Sequence, residues 1–216
     1  MRAYFSTYHL WASQEFANRS LSIEAAHSGR ARFDMEHRAL VMASVTESGA
    51  FLESLVNELF KDCAEHHNPY VAGLSTQAID ALRTQWTDWH SKGRTTLPTL
   101  KKFDAAVFCC ELPPMNHGIA PVQNASEVLR LRNALMHSTP EWVAADESHA
   151  FDNLKSKFPI NALMQGAGNA YFPDKCLGAG CAIWSMTSAR SFADHFHALL
   201  GTKPHYQIST LAPPSK

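Results

Sequence analysis

The sequence predicts an all-α fold, an up-and-down bundle of five to seven helices. Apolar residues recur at helical spacing over long stretches, most clearly at Leu52, Leu55, Val56, Leu59 and Phe60. Capping and stop residues such as Gly29, Ser75, Pro98 and Gly201 bracket those stretches. No segment shows period-two alternation between hairpin turns.

Taken in order, residues 8–28 read as a first helix, with Leu10, Phe16, Leu21 and Ile23 as apolar positions and Gly29 as its stop. Residues 32–66 read as one long helix, bent at Ser48-Gly49 and ended by Asn68-Pro69. Ser75 caps a third helix running to about His90, because its hydroxyl can accept from a first-turn amide. Pro98 opens a fourth helix that ends near Glu111. Residues 112–118 form a loop. Asn124 and Glu127 have the spacing of a capping box, which starts the next helix at Ala125. A short helix is expected over 146–157 and a long Gly-, Asn- and Pro-rich loop over 159–174. The last helix runs from about Cys176 to Leu200 and stops at Gly201. The chain from Thr202 onward reads as a loose tail, since Pro213 and Pro214 cannot continue a helix.

The 216 residues suit a single domain spanning 1–216, with its core over about 32–200 and the loose tail over 202–216. Apolar content of 45% with 18% charged residues is that of a globular chain and sets disorder aside. The formal net charge of -1 excludes a protein that coats nucleic acid with its whole surface. Contact with RNA must be local. No secretory pattern opens the chain, and no unbroken apolar run reaches membrane-spanning length. Five cysteines cannot all pair, so they are expected reduced, in a cytoplasmic setting. Cys176, Cys181, His195 and His197 lack the spacing of a zinc site, so no metal and no cofactor is expected. Gly-rich phosphate loops, nucleophile elbows and His-Glu-x-x-His are missing from the sequence.

The chemistry-bearing segment is Leu129-Arg130-Leu131-Arg132-Asn133-Ala134-Leu135-Met136-His137, closed by Pro140. Arg followed five positions later by His occurs three times, at Arg32, Arg132 and Arg190, but only Arg132 is followed directly by Asn. A guanidinium offers forked donors to phosphate oxygens and stays charged. An imidazole gives or takes protons near neutral pH. Asn133 and His137 share a helix face, whereas Arg132 and His137 are about 140° apart on an ideal helix. Either Arg132 curls around the helix, or His137 sits in a relaxed last turn.

The run Arg132-Asn133-x-x-x-His137 in its apolar frame resembles the signature of the HEPN superfamily, small helical proteins that include many ribonucleases. The resemblance covers roughly residues 32–200, with its specific part at 132–137. It implies a metal-independent endoribonuclease (a hydrolase) acting on RNA through 2′-hydroxyl attack, which leaves a 2′,3′-cyclic phosphate and a 5′-hydroxyl. Arg132 and His137 would be catalytic and Asn133 would orient them or contact RNA. It also implies a homodimer, roles in toxin–antitoxin, phage-defence or RNA-processing systems, and an antitoxin or regulatory partner. A subset of these proteins carries Tyr two residues beyond the His; Thr139 stands there. The alternative is a non-catalytic module that binds RNA, a nucleotide or a partner protein.

Further RNA contacts are expected from the basic stretch between positions 83 and 102. There Arg83, Arg94, Lys101 and Lys102 are interleaved with Trp86 and Trp89. The two tryptophans are read as core-packing residues and the basic groups as the RNA contacts.

Overall fold

The computed structural model describes residues 2–67, 71–92, 97–139 and 150–208. Six α-helices occupy them: α1 (Phe5–Ala25), α2 (Met35–Ala64), α3 (Thr76–Ser91), α4 (Thr99–Cys109), α5 (Ala120–Met136) and α6 (Ala179–Leu200). No strand occurs among the described residues. The fold is an all-α bundle.

Local chemistry sets several of the helix ends. The Asp34 side chain accepts from the His37 amide at 3.0 Å and starts α2. Ser75 does the same for α3 through the Ala78 amide at 3.1 Å. Gly201 closes α6 with φ 70°, a left-handed conformation that costs glycine nothing. Glu24 joins three helix ends: one carboxylate oxygen accepts from the Ala179 amide at the start of α6 and faces the buried His37 ring at 2.9 Å. A carboxylate there also complements the helix dipole.

α2 is the hub, touching α1, α3, α4, α5 and α6. By length and composition it could cross a membrane, but its apolar positions are the bundle's core. Two apolar clusters lie along it. The first gathers Phe51, Leu52, Val56 and Phe60 of α2 with Leu82, Phe103, Phe192 and Phe196. Phe103 meets the Phe192 and Phe196 rings edge-on at 4.8 and 4.7 Å, a favourable quadrupole arrangement. The second gathers Val41 and Val45 with Leu131, Leu154, Tyr171, Cys176 and Cys181. Between them runs a seam of buried serines. Ser13 on α1 reaches the Ser48 hydroxyl at 2.7 Å, and Ser44 donates to the Ser13 carbonyl at 2.9 Å. The buried face of α1 is small throughout (Ser6, Ser13, Ala17 and Ser20 beside Leu10), which lets it lie close on α2.

The stretch 32–66 forms one helix, as expected, with Ser48-Gly49 inside it. Several other sequence expectations need correction. α5 begins five residues before Ala125, with Pro121 in its first turn, whose fixed φ suits a helix start. The capping box does not form: Asn124 accepts from Lys157 at 3.3 Å, and Glu127 pairs with Arg130 at 2.5 Å. Within 146–157 a 3-10 turn covers Asp152–Ser156, while 140–149 lie outside the described residues. The stretch 159–174, expected as a long loop, includes a 3-10 turn at Ala162–Met164, and Leu163, Met164 and Tyr171 are buried. The tail docks through a 3-10 turn at His205–Ile208. Tyr206 is fully buried there, edge-on to Phe51 at 5.1 Å, with its hydroxyl donating to Asp194 at 2.8 Å. Residues 209–216 lie outside the described residues.

His197 sits against that docked turn. Its Nδ1 is 2.8 Å from the Thr202 hydroxyl, and its Nε2 is buried without a partner among the described residues. Burial, helped by nearby His205, pushes this imidazole down to about 4. The folded state therefore holds it neutral, while the unfolded chain protonates it near 6.5. Its stabilising effect is full above pH 6.5 and declines as pH falls from there to about 4. Replacing His197 with Phe is expected to flatten that part of the stability–pH curve, as read by urea melts at pH 7 and pH 4.5.

Candidate functional site

α5 ends in the second cluster and carries the Arg-Asn-x-x-x-His run along its last turns. Leu131 is fully buried, which fixes the rotation of the helix and turns position 132 toward α2. Arg132 then crosses α2 at Gly49. A side-chain carbon built on Gly49 would stand 3.0 Å from the Arg132 Cγ, so glycine leaves the groove through which the arginine stem passes. Arg132 Nη1 donates to the Asn133 side-chain oxygen at 2.9 Å, while Nε is buried without a partner among the described residues.

His137 is the residue just past the helix. Its φ of −120° and ψ of 28° are not helical, although its amide still donates to the Asn133 carbonyl at 2.9 Å. The ring is exposed. Arg132 lies over a glycine and His137 stands outside helix geometry, and both reach the lining of one cleft.

Arg132, Asn133 and His137 line one cleft of about 740 Å³. Leu97, Pro98, Leu100 and Leu129 give it an apolar wall, and Ser126, Thr99 and Arg130 add polar groups. That volume falls within the range of small-ligand sites. Arg130 is occupied elsewhere: it donates to Ala150 O at 2.6 Å and Asn153 Oδ1 at 2.8 Å, and its guanidinium lies 4.5 Å from the Phe151 ring centre. It ties the segment after position 150 to the rim.

Glu53 of α2 also lines the cleft and was not among the expected site residues. Its carboxylate accepts from Lys102 Nζ and the Thr99 hydroxyl, and from the Asn57 amide at 3.3 Å. Lys102 Nζ also donates to Asn57 Oδ1 at 3.0 Å. Burial pushes the Glu53 carboxyl up, but the Lys102 and Thr99 hydrogen bonds outweigh it and hold the group below the usual carboxylate range. The sequence signal was the Glu53/Asn57 spacing on one helix face; what it lacked was the lysine opposite.

The expected RNA-contact residues do not form one surface. Lys102 is corrected outright: only 4% exposed, it points into the α2–α4 contact, because the buried side of Glu53 needs a cation. Lys101 is exposed on α4 and lies 3.5 Å from Asp104. Arg83 on α3 pairs with Asp80 at 2.9 Å and approaches His66 at 3.0 Å, away from the cleft lining. Arg94 lies outside the described residues. Trp86 and Trp89 pack on Phe60, with ring centres 6.1 and 4.7 Å away, Trp89 buried in the core and Trp86 half-buried at its edge. Cys176 and Cys181 are buried in the second cluster, and His197 lies in the Tyr206 contact.

No protein-family model, curated protein or solved structure matches the chain.

Proposed function

We propose that the protein is a metal-independent endoribonuclease of the HEPN kind, acting in the 740 Å³ cleft at the end of α5. The observation that supports this reading is that Arg132, Asn133 and His137, selected by their sequence pattern, line the same cleft of one chain. In the proposed reaction the RNA 2′-oxygen attacks the adjacent phosphorus and the bond to the 5′-oxygen breaks. One proton leaves the 2′-hydroxyl and another reaches the 5′-oxygen. His137, exposed and at the mouth, serves as general base or general acid. Arg132 neutralises charge on the phosphorane-like transition state through its guanidinium donors. Asn133 holds the Arg132 terminus by the bond already present. Glu53, neutralised by Lys102, fixes α4 against α2 at the cleft wall.

A homodimer belongs to the same proposal, with Arg132 and His137 lining one cleft of each chain. Toxin–antitoxin or phage-defence roles with an RNA target are what the resemblance adds, and the five free cysteines suit a cytoplasmic setting. The near-neutral surface favours the second reading, a non-catalytic module that binds RNA, a nucleotide or a protein.

The test is RNA cleavage in excess EDTA by wild type and Arg132→Ala, with end-group analysis. Wild type is expected to leave 2′,3′-cyclic phosphate ends. Arg132→Ala should lose roughly 10²-fold or more in rate, as for removal of one oxyanion donor. Cleavage that persists undiminished in Arg132→Ala would remove Arg132 from the mechanism.

A further inference from the structure

Phe108, on the last turn of α4, is 81% exposed, the most exposed of the large apolar side chains among the described residues. Its neighbour on the same short helix, Phe103, is fully buried, so α4 offers one aromatic ring to the core and one to solvent. The exposed ring does not stand on a flat surface. Hollows of about 870 and 340 Å³ flank it and share Phe108, Leu112 and Pro114 as lining, with Cys109 in the larger one and Met115 in the smaller. Phe108 is the ridge of one apolar groove between α3, α4 and the loop after α4.

The rim is acidic. Asp80, Asp88 and Glu111 line the larger hollow and Asp104 the smaller, where His117 Nε2 lies 2.7 Å and the exposed Lys101 3.5 Å from Asp104; no lysine or arginine lines either hollow. The Arg83 and Lys92 partners of Asp80 and Asp88 are exposed pairs along α3, of the weak kind that exchange readily for another cation. Glu111 is held by a neutral group, the Gln77 amide at 2.7 Å. It adopts φ 55°, a left-handed conformation rare outside glycine and asparagine, and this places a carboxylate at the end of α4 where glycine is the usual residue.

We propose that the groove around Phe108 docks a basic segment of a partner protein that inserts an apolar side chain beside Phe108 and sets lysines or arginines against Asp80, Asp88, Glu111 and Asp104. Aromatic anchors in recessed sites are where partner contacts concentrate their effect, and complementary charge selects the partner. A second copy of this chain fits poorly. A two-fold contact through this patch would set its own acidic rim against itself, which like-charge repulsion disfavours. The inference is independent of the chemistry assigned to the α5 cleft.

The test uses a fluorescein-labelled amphipathic helical peptide of leucine and lysine, and its counterpart with glutamate for lysine, read by fluorescence anisotropy. Saturable binding of the lysine peptide is expected, falling as salt rises. It should weaken roughly tenfold or more in Phe108→Ser and in the Asp88→Asn/Glu111→Gln pair, the scale of a lost anchor. The glutamate peptide should not bind. Phe108 is so exposed that Phe108→Ser should leave the thermal midpoint unchanged, which a melt checks. Absent binding, or binding indifferent to Phe108→Ser, would overturn the proposal. A wild-type dimer that Phe108→Ser dissolves in sedimentation would overturn it too and give the groove to a second copy.

Discussion

His137→Ala is expected to lower RNA cleavage by about 10²–10⁴-fold, the range over which a positioned acid or base contributes. The folded state should hardly notice. His137 is exposed, follows the last helical residue, and contributes its amide rather than its ring to the helix end. Surface changes of this kind stay within about 0.5 kcal/mol. The ratio of rate loss to stability loss is therefore the readout, with cleavage and thermal melts run on the same preparations. A rate within threefold of wild type would remove His137 from the chemistry. Mixing His137→Ala with Arg132→Ala chains adds a second reading. Because both groups line the cleft of a single chain, no activity should return. Recovery in the mixture would mean that the working site is built across two subunits.

Lys102→Met is expected to destabilise the protein by about 2–3 kcal/mol. Breaking a fully buried ion pair costs about 3–5 kcal/mol, and Glu53 keeps a side-chain exposure of 32% that lowers this. For a chain of this size the midpoint should fall by roughly 5–10 °C. Glu53→Gln in the Lys102→Met background removes the stranded carboxylate and should recover part of the loss. The pH dependence has a definite sign. The Glu53 carboxyl is held below its ordinary value, so its stabilising effect is present above the unfolded-chain value, about 4.3. That effect is lost as pH falls through the lower folded value. Wild type should therefore lose more stability than Lys102→Met between pH 7 and pH 3 in urea melts. Equal losses would mean that Lys102 does not set the ionisation of Glu53.

What the sequence disclosed and what it withheld follow from range. Helix periodicity and single-residue signals such as Ser75, Pro98 and Gly201 act within a turn or two, and they are where the structure agrees with the reading. The motif was legible for the same reason, since Arg132, Asn133 and His137 are near neighbours in the chain. Lys102 was misread, and Gly49 read only in part, because their meaning lies across a helix contact. A glycine inside a helix looks like a weak point until Arg132 is seen lying over it. A lysine beside another lysine looks solvated until Glu53 is found opposite. The start of α5 was missed because two local signals competed, Pro121 and the Asn124/Glu127 spacing. The proline, which needs no partner to fix its φ, sits in the first turn that formed.

The serine seam is a break in apolar packing between the two clusters, although α1, α2, α5 and α6 run through both. Its hydroxyls offer little dispersion contact, so the two clusters are expected to open with different free energies. Native-state amide exchange should then show two protection levels along α2, one for the stretch around Val41 and Val45 and another for the stretch from Phe51 to Phe60. α5 crosses the same divide, with Val122 and Ala125 on one side and Leu131 on the other. Arg132 and its groove at Gly49 lie on that line, beside Ser48. The Arg132 groove thus lies where the two clusters meet, so a small shift of one cluster against the other is expected to change the shape of the cleft.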